Sequence, residues 1–439
     1  MADFIPQYNQ APTPAENRTP EKQKRILLLT GITVVALLIG ILAYFLIFKK
    51  SPTTPPAGET FPVGGNVITQ EQPTVIQGGE TQPTTQAPGQ EQGVQKLVEL
   101  YKGPVAGYTV LRDGRTIRLF DRTLGRLVEV STTNYSSTTV SDQPILGIHD
   151  ATFVGEDKLI VRGIDGNGNI KTTLYTIDQT GDSNAPLSLD NPIALADNVL
   201  ELAASQDASK VVLVIKDPLG ANIDVLDIAT QTLKRKGTLP LSEWIPSITN
   251  DGTIYLSAKA SRFAMSGTYK LSNKQLIMSI PAGIAQTTAI APSGSIAFVS
   301  GSYGNIYSSQ LRDPDILSNV EASDVPFVTI AEKCSWSSDE NDLYCGVPNT
   351  RGTTYPDSWY LGENHFSDML ERYDLTKGEN TVLLNPEAYK LKLDIVDITP
   401  SAYAVFMLNN QDKHLWMYRL FDTTTTSSTS SATTSQEGL

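Results

Sequence analysis

The feature of this sequence that most constrains its fold is a strand–turn–strand pattern that recurs seven times between residues 96 and 422. Each copy has an apolar strand, a turn containing Asp, Gly or Ser, and a second, more apolar strand. The copies are centred on Asp113, Asp157, Asp207, Asp251, Ser293, Asp339 and Ser401. The steps between these residues are 44, 50, 44, 42, 46 and 62. Because this is the period of a propeller blade, the pattern predicts an all-β, seven-bladed β-propeller over residues 96–422.

The ends of the array predict how the ring closes. The last copy has strands near Ile395, at 402–408 and at 414–421, and it lacks a fourth strand. The apolar segment 96–101 (KLVELY) precedes the first copy and has no blade of its own. We expect the segment to complete the last sheet, because this pairing removes exposed sheet edges. Two tandem β-sandwiches are the alternative architecture, although they do not require a constant step between copies.

Residues 26–48 form an uninterrupted apolar run of 23 residues without a charge. As a helix the run measures about 35 Å, which is enough to cross a bilayer, and it is longer than the core of a cleaved signal peptide. Four basic residues precede it between positions 18 and 25, and two follow it at 49 and 50. This bias predicts a signal anchor with residues 1–25 in the cytoplasm and the bulk of the chain outside the plasma membrane.

The flanking regions and the charge agree with an extracytoplasmic location. Residues 49–95 are rich in Pro, Thr, Gln and Gly and are predicted to be a disordered linker, as is the Ser/Thr-rich tail 423–439. The chain has a net charge of −13, and its first 50 residues carry three net positive charges, so the remainder carries −16. An acidic ectodomain argues against nucleic acid as a partner.

The two cysteines of the chain lie in one copy, KCSWSSDENDLYCGV. If the hairpin turns at Asp339 and Glu340, Cys334 lies opposite Cys345, within reach of a disulfide. Closing a loop of this length contributes about 3 kcal/mol in the chain-entropy model. Two reduced, buried thiols are the alternative. Two cysteines alone supply half of a zinc site, so we predict no metal there.

Two copies carry a motif that resembles a known family: WSSD at 336–339 followed by LY at 343–344, and APSG at 291–294 followed by IAF at 296–298. The motif is similar to W-S-P-D-G-x-x-I-A-F of WD40-like, TolB-type β-propellers. The resemblance covers most of residues 100–422, and no copy keeps the whole motif. It implies the propeller fold and a scaffolding or binding role, and it assigns no chemistry. A membrane-tethered propeller of this layout also resembles envelope proteins of bacteria.

No catalytic motif is found. The three histidines lie in separate copies, and no metal-binding His pair, nucleophile elbow or phosphate-binding loop is present. The string DGNGN at 165–169 resembles the start of a calcium loop, but Ile170 and Thr176 replace the Gly and Glu that an EF-hand needs. We interpret it as a hairpin turn. The sequence therefore predicts a non-enzymatic envelope protein without a cofactor, with a propeller-scaffold enzyme acting on glycan or peptide as the alternative.

The best candidate for a working surface is the insertion at 348–368, PNTRGTTYPDSWYLGENHFSD. Loops of this length are usually functional or disordered, and this one is too aromatic for a disordered linker. Together with equivalent loops it predicts a surface that binds a protein partner of the envelope. The candidate residues are Tyr355, Trp359, Tyr360, His365, Phe366, Phe263 and Tyr303. The alternative is that the insertion folds back as local core.

Overall fold

The computed structural model describes residues 96–178, 186–303, 306–317, 322–351 and 355–421. The predicted cytoplasmic segment (1–25), membrane span (26–48), linker (49–95) and tail (423–439) lie outside the described residues. Among the residues that are described, no helix is long and apolar enough to cross a bilayer. Regular structure in these residues is almost entirely β.

The strands form six antiparallel sheets, numbered here along the chain. Sheet 1 contains β2 (Val105–Val110), β3 (Thr116–Asp121), β4 (Arg126–Ser131) and β5 (Ser137–Thr139). Sheet 2 contains β6 (Ile148–Val154), β7 (Lys158–Ile164), β8 (Ile170–Asp178) and β9 (Ser188–Asp197). Sheet 3 contains β10 (Val199–Ala204), β11 (Lys210–Asp217), β12 (Gly220–Asp227) and β13 (Thr232–Leu239).

Sheet 4 has seven strands: β14 (Trp244–Ile248), β15 (Ile254–Ala258), β16 (Met265–Ser272), β17 (Gln275–Ile290), β18 (Ala297–Tyr303), β19 (Ile306–Arg312) and β20 (Ser323–Val325). Its long strand β17 pairs with β16 through residues 275–284 and with β18 through residues 284–290. One continuous strand therefore serves two consecutive repeats, those centred on Asp251 and Ser293.

Sheet 5 contains β21 (Cys334–Trp336), β22 (Asp342–Pro348), β23 (Asp368–Asp374) and β24 (Glu379–Leu384). Sheet 6 contains β25 (Ile395–Pro400), β26 (Ala404–Asn409), β27 (Leu415–Arg419) and β1 (Leu97–Tyr101). Three short helical segments complete the regular structure of the described residues: α1 (Asp357–Tyr360) and the 3-10 turns Ala331–Lys333 and Pro386–Tyr389.

Sheet 6 joins the two ends of the described chain. β1 lies antiparallel to β27, with Leu97 opposite Tyr418, so that the strand order is β1-β27-β26-β25. The predicted pairing of one N-terminal strand with three C-terminal strands is thereby confirmed.

The apolar core lies between successive sheets. One cluster joins Ile117 and Val128 of sheet 1 to Phe406 and Met417 of sheet 6. Equivalent clusters join sheets 1 and 2, 2 and 3, 3 and 4, 4 and 5, and 5 and 6. Each sheet is thus covered by its two neighbours, the first and the last included, which is consistent with a β-propeller.

The first strands of neighbouring sheets approach closely. β2 contacts β6, β10 contacts β14, and β21 contacts β25. A methyl group on Gly107 of β2 would lie 1.7 Å from the carbonyl oxygen of Ala151 in β6. Only glycine permits this approach between the two backbones.

The residues that define the repeat close the hairpins between first and second strands. The Asp251 carboxylate accepts the N–H of Thr253 at 2.9 Å and the hydroxyl of Thr249, which forms an Asx turn. The same combination recurs at Asp207 with Ser205 and Ser209, and at Asp339 with Ser337 and Asn341. The repeat was therefore visible in the sequence because each turn needs a polar side chain at one position.

Neighbouring turns are also bonded to one another. The N–H of Arg112 donates to Glu156 at 2.6 Å, the N–H of Asp207 donates to Asn250 at 3.2 Å, and the N–H of Ser293 donates to Glu340 at 2.6 Å. Side chains of one turn thus satisfy backbone groups of the preceding one, which ties successive repeats together at this end of the sheets.

Replacing Asp207, Asp251 and Asp339 by Asn keeps an acceptor oxygen in each turn and removes its charge. In the folded protein, hydrogen bonds from the Ser or Thr two positions earlier lower the pKa of each of these carboxyls. Their stabilising effect is complete above the unfolded pKa of about 3.9 and is lost as the pH falls through the lower folded value. By calorimetry, we expect the melting temperature of the wild type to decrease as the pH is lowered below about 4. The decrease should be less steep in D207N/D251N/D339N. The same dependence of melting temperature on pH in both proteins would contradict this prediction.

Candidate functional site

The cysteine hairpin has the predicted register. Cys334 pairs with Cys345 and Trp336 with Leu343 across β21 and β22. The two cysteines form a disulfide, with their Cα atoms 4.1 Å apart. This prediction is confirmed, and the bond locks the first two strands of sheet 5 directly beside the insertion.

The insertion between β22 and β23 does not stand away from the domain. Its short helix α1 carries Asp357, whose carboxylate accepts the Ser261 hydroxyl at 2.7 Å and the Arg262 N–H at 2.9 Å. Ser261 and Arg262 belong to the connection between β15 and β16 of sheet 4. The insertion therefore reaches from sheet 5 to sheet 4, and its helix is held by two hydrogen bonds at the far end.

Two of the candidate aromatic residues are packed inside this arrangement. Tyr355 and Phe366 are both buried and form an edge-to-face pair with ring centroids 5.4 Å apart. They pack with Ile330, and Tyr307 contacts the Tyr355 ring at 5.8 Å. Their position corresponds to the local-core alternative. A partner-binding role for these residues stays a prediction.

Beneath the insertion lies a buried charged cluster, which we call the central cluster: Lys333, Trp359, His365, Asp368 and Asp394. Lys333 is fully buried, and its ammonium group binds the carboxylates of Asp368 and Asp394. Asp394 also accepts the Trp359 indole N–H, with both carboxylate oxygens 3.1 Å away, and it contacts His365 Nδ1 at 3.2 Å. Sheets 5 and 6 and the insertion thus meet at one ammonium group.

The electrostatics of the central cluster follow from its burial. Desolvation raises the pKa of Asp368 to about 6, although Lys333 opposes the shift. Asp368 accepts the N–H of Ile395 with Oδ2, at 2.7 Å, and its Oδ1 has no hydrogen-bond partner among the described residues. The two carboxylates share the Lys333 ammonium, and His365, the other basic group of the cluster, contacts Asp394. Apart from Oδ1 of Asp368, the charged groups of the cluster bond to one another, which suits a structural role.

Trp359 and Tyr360, two further candidates, are half-buried and use their polar atoms within the protein. The Tyr360 hydroxyl donates to Glu332 at 2.5 Å, and the Lys259 ammonium lies 5.0 Å from the Tyr360 ring centroid. Desolvation raises the pKa of Glu332, and its Oε2 is buried without a partner in the described part of the chain. These two aromatics anchor the insertion, and their role in partner binding stays a prediction.

The two remaining candidates are an exposed residue and a residue whose side chain is not among those described. Phe263 is 79% exposed, and its ring is stacked under the Arg262 guanidinium, 4.8 Å from the centroid. The side chain of Tyr303 lies outside the described residues. The structure therefore brings Tyr355, Trp359, Tyr360, His365 and Phe366 together and leaves Phe263 exposed beside them, next to the segment that α1 contacts.

Carboxylates on the first strands form a group that the sequence analysis did not identify. They are Asp150 in β6, Glu201 in β10 and Asp397 in β25. Glu201 is half-buried, and desolvation raises its pKa, with the charge of Asp150 adding to the shift and that of Arg162 opposing it. Asp150 binds Arg162 at 2.9 Å, and Asp397 is exposed. Asp397 also has a left-handed backbone, with φ of 48°. Nothing in the sequence distinguishes these acids from the many others, because their proximity depends on the arrangement of separate sheets.

The calcium-like string is a hairpin turn, as predicted. Ile164 pairs with Ile170, and Asp165 Oδ1 accepts the N–H groups of Asn167 and Asn169 at 2.9 Å each. Across the described ranges, no group of three or more His, Cys, Asp and Glu side chains is arranged to hold a metal ion.

No family model matches the sequence, and no curated protein is similar to it. The fold is similar to oligogalacturonate lyase in complex with manganese, with a TM-score of 0.50, 11% identity, and coverage of 76% of this chain and 95% of that one. It is also similar to the β-propeller domain of the Trilobed protease from Pyrococcus furiosus, with a TM-score of 0.47, 11% identity, and coverage of 73% and 95%.

Tricorn protease matches with a TM-score of 0.44 and 12% identity over 76% of this chain, which spans only 35% of the length of that protein. The fold thus resembles β-propellers of the kind found in tricorn protease, TolB and WD40-like proteins. At these identities the likeness concerns the fold alone.

Replacing Trp359 by Ala is expected to destabilise the protein by about 3 kcal/mol, because Asp394 loses a buried hydrogen-bond donor and Lys333 loses an aromatic neighbour. Thermal unfolding measures the change. Leu361→Ala, two residues further on at a position that is 71% exposed, is the control and should leave the melting temperature nearly unchanged. An unshifted melting temperature in W359A, together with lost partner capture, would instead favour the binding interpretation.

Proposed function

We propose that this chain is a single-pass, membrane-anchored protein whose seven-bladed, TolB-type propeller acts outside the plasma membrane as a non-enzymatic interaction module. The blade count follows if sheet 4 is taken as two four-stranded blades that share β17, one for each of its two repeats. Sheets 1, 2, 3, 5 and 6 supply the other five. Each of the seven repeats then corresponds to one blade.

Two observations support the location. The apolar run at 26–48 is long enough for a bilayer and has more basic residues before it than after it. The disulfide between Cys334 and Cys345 is the state expected in an oxidising compartment. Together they favour an anchored protein whose propeller lies on the outer side of the membrane, connected by residues 49–95.

The observation that carries the interaction role is an exposed apolar patch beside the insertion, formed by Phe263, Met265, Ile284 and Leu361. Their exposed fractions are 79%, 67%, 40% and 71%. Met265 and Ile284 are directly paired across β16 and β17, and the contacts of Asp357 hold α1, and so Leu361, beside the segment carrying Phe263.

This patch has the properties of a protein-binding surface. Exposed apolar side chains that cluster together commonly mark interaction sites, and rigid supports lower the entropy lost on binding. The central cluster and the disulfide provide such support directly beneath and beside the insertion. The patch therefore fits a second envelope protein with a complementary apolar surface.

Photo-crosslinking in intact cells tests this role. We expect benzoylphenylalanine at position 263 of the full-length protein to form an adduct with a specific protein. The same probe at Leu219, which is 84% exposed and distant in sequence, is the matched control and should form none. The double variant F263S/M265S should abolish capture by a probe at position 361, with little change in stability, because exposed substitutions usually alter it by less than about 0.5 kcal/mol. Equal adducts at positions 263 and 219 would contradict the proposal.

A propeller-scaffold enzyme is the second candidate, and the first-strand carboxylates Asp150, Glu201 and Asp397 favour it. A carboxyl with a raised pKa, such as Glu201, beside other acids is typical of acid/base catalysis, and such a site would act on glycan or peptide at the centre of the ring.

Glu201→Gln and Asp397→Asn distinguish the two candidates. For an interaction module, we expect both variants to capture the partner like the wild type, and mass spectrometry should find no fragments released from envelope glycan or peptide by any of the three proteins. Fragments released by the wild type and absent with E201Q would favour the enzyme.

A further inference from the structure

A groove lined by lysines lies between sheet 3 and sheet 4, away from the residues discussed above. Its main cavity has a volume of about 460 Å³ and lies between β13 and the hairpin that joins β16 to β17. An adjoining cavity of about 330 Å³ shares Lys234, Lys236, Asp251 and Gly252 with it. We call the two together the cationic groove.

The charge of the groove is opposite to that of the protein. Its lining contains six basic side chains, Lys210, Lys234, Arg235, Lys236, Lys270 and Lys274, and two acidic ones, Asp227 and Asp251. The whole chain carries a net charge of −13. With Asp224 and Asp315, the ion-pair partners of Arg235 and Lys270, included, the local excess is two positive charges, and it requires a specific explanation on such a protein, since like charges placed together repel.

Most of these lysines are not neutralised by the protein. Arg235 binds Asp224, and Lys270 binds Asp315 at 3.1 Å. Within the described residues, Lys210, Lys234, Lys236 and Lys274 take part in no salt bridge. Asp251, although it lines the groove, already accepts three hydrogen bonds in its own turn. The ammonium groups of Lys234, Lys236 and Lys274 thus remain to bind an external anion, whereas the charge of Lys210 already acts on Asp207 and Asp227.

The backbone fixes where the charges point. Lys234 and Lys236 of β13 both line the main cavity, and the strand has a β-bulge between Arg235 and Gly237 that leaves Lys236 without a partner in β12. Lys274 lies opposite them in a two-residue hairpin, where Asn273 and Lys274 both have positive φ, 50° and 65°. The ammonium group of Lys210, at the start of β11, lies close to Gly252: a methyl group on this glycine would be 3.4 Å from the Lys210 nitrogen. The lysines therefore come from β11, β13 and the turn between β16 and β17. Lys234 and Lys236 line both cavities, Lys274 lines the main one and Lys210 lines the adjoining one.

Protection of a sheet edge does not account for this convergence. Lysines on an edge strand such as β13 discourage pairing with another chain. That role needs neither Lys210 nor Lys274, which lie off the edge strand, and it needs no cavity between the sheets. The arrangement resembles a binding site in which two walls carry the same charge.

The chemistry of the lining points to the kind of ligand. Lysine ammonium groups bind phosphate as point charges, whereas planar carboxylates favour the fork of arginine. Thr253, Ser272 and Asn273 add hydroxyl and amide groups that suit a polyol. The lining of the two cavities contains no aromatic side chain on which a nucleobase could stack. The basic side chains line a cleft, whereas a flat basic surface would suit the headgroups of a membrane better.

From these observations we propose that the cationic groove binds a linear, phosphodiester-linked polyol. The chain of phosphates follows the groove from Lys210, past Lys234 and Lys236, to Lys274, while polyol hydroxyls contact Thr253, Ser272 and Asn273. This surface is separate from the apolar patch, so the protein holds a protein partner and an anionic polymer by different faces.

The test uses the full-length protein in a non-ionic detergent and a synthetic glycerol phosphate oligomer as the probe. We expect calorimetric titration to show binding that weakens with salt between about 50 and 200 mM. In the variant K234Q/K236Q/K274Q, affinity should fall at least tenfold, and the slope of log K against log salt should fall by about two. The control K102Q/K216Q/K392Q removes the same charge from exposed lysines outside the groove and should bind like the wild type.

The other outcomes are also decisive. No binding by the wild type, or equal losses in the two triple variants, would overturn the proposal, since net charge rather than the groove would then govern binding. A different result would be that the protein binds vesicles of anionic lipid as tightly as the glycerol phosphate oligomer, through the same lysines. That result would identify the membrane as the ligand and would also overturn the proposal. Tight binding of polygalacturonate in place of the phosphate oligomer would assign the groove to a carboxylate polymer instead.

Discussion

Each sheet of this protein has two apolar faces, and neither face is buried unless another sheet covers it. The core clusters accordingly lie between sheets, and the cluster that joins Ile117 to Phe406 covers the outer faces of the first and last sheets. The pairing of β1 with β27 places the start of the domain in the last sheet, directly before the chain enters sheet 1. Loss of this pairing would expose an apolar face on both sheets at once, so the stability of the ring depends on it.

The two ends of the sheets use their polar residues differently. At the turns between first and second strands, Asp, Ser and Thr side chains bond to nearby backbone, and adjacent turns are bonded together. Such turns are short and leave little room for variation. At the opposite end, the connection between β22 and β23 is long enough to carry a helix and to reach the next sheet. New surfaces can be built there without disturbing the repeat.

The sequence was sufficient to predict what depends on local periodicity. The β class, the register of Cys334 with Cys345 and the pairing of the first strand with the last all follow from alternation, turn residues and the count of strands. The central cluster could not be predicted, because a lysine in a sequence is expected at the surface, and the two carboxylates that pair with Lys333 lie 35 and 61 residues away in the sequence. The sharing of β17 was missed because Pro281 and Gly283, which directly precede the change of partner at Ile284, indicate a turn, whereas the strand continues through them.

The packing of the insertion determines how rigidly the exposed apolar residues beside it are held. The insertion contributes its aromatic residues to the interior, where Tyr355 and Phe366 fill space and Trp359 satisfies Asp394. The exposed residues near it, Phe263 and Leu361, are then held by a scaffold that has already lost its conformational entropy. Aromatic content alone therefore does not separate residues that contact a partner from those that position them. The structure separates them by burial and bonding: Tyr355 and Phe366 are buried, Trp359 and Tyr360 bond to buried carboxylates, and Phe263 and Leu361 remain exposed.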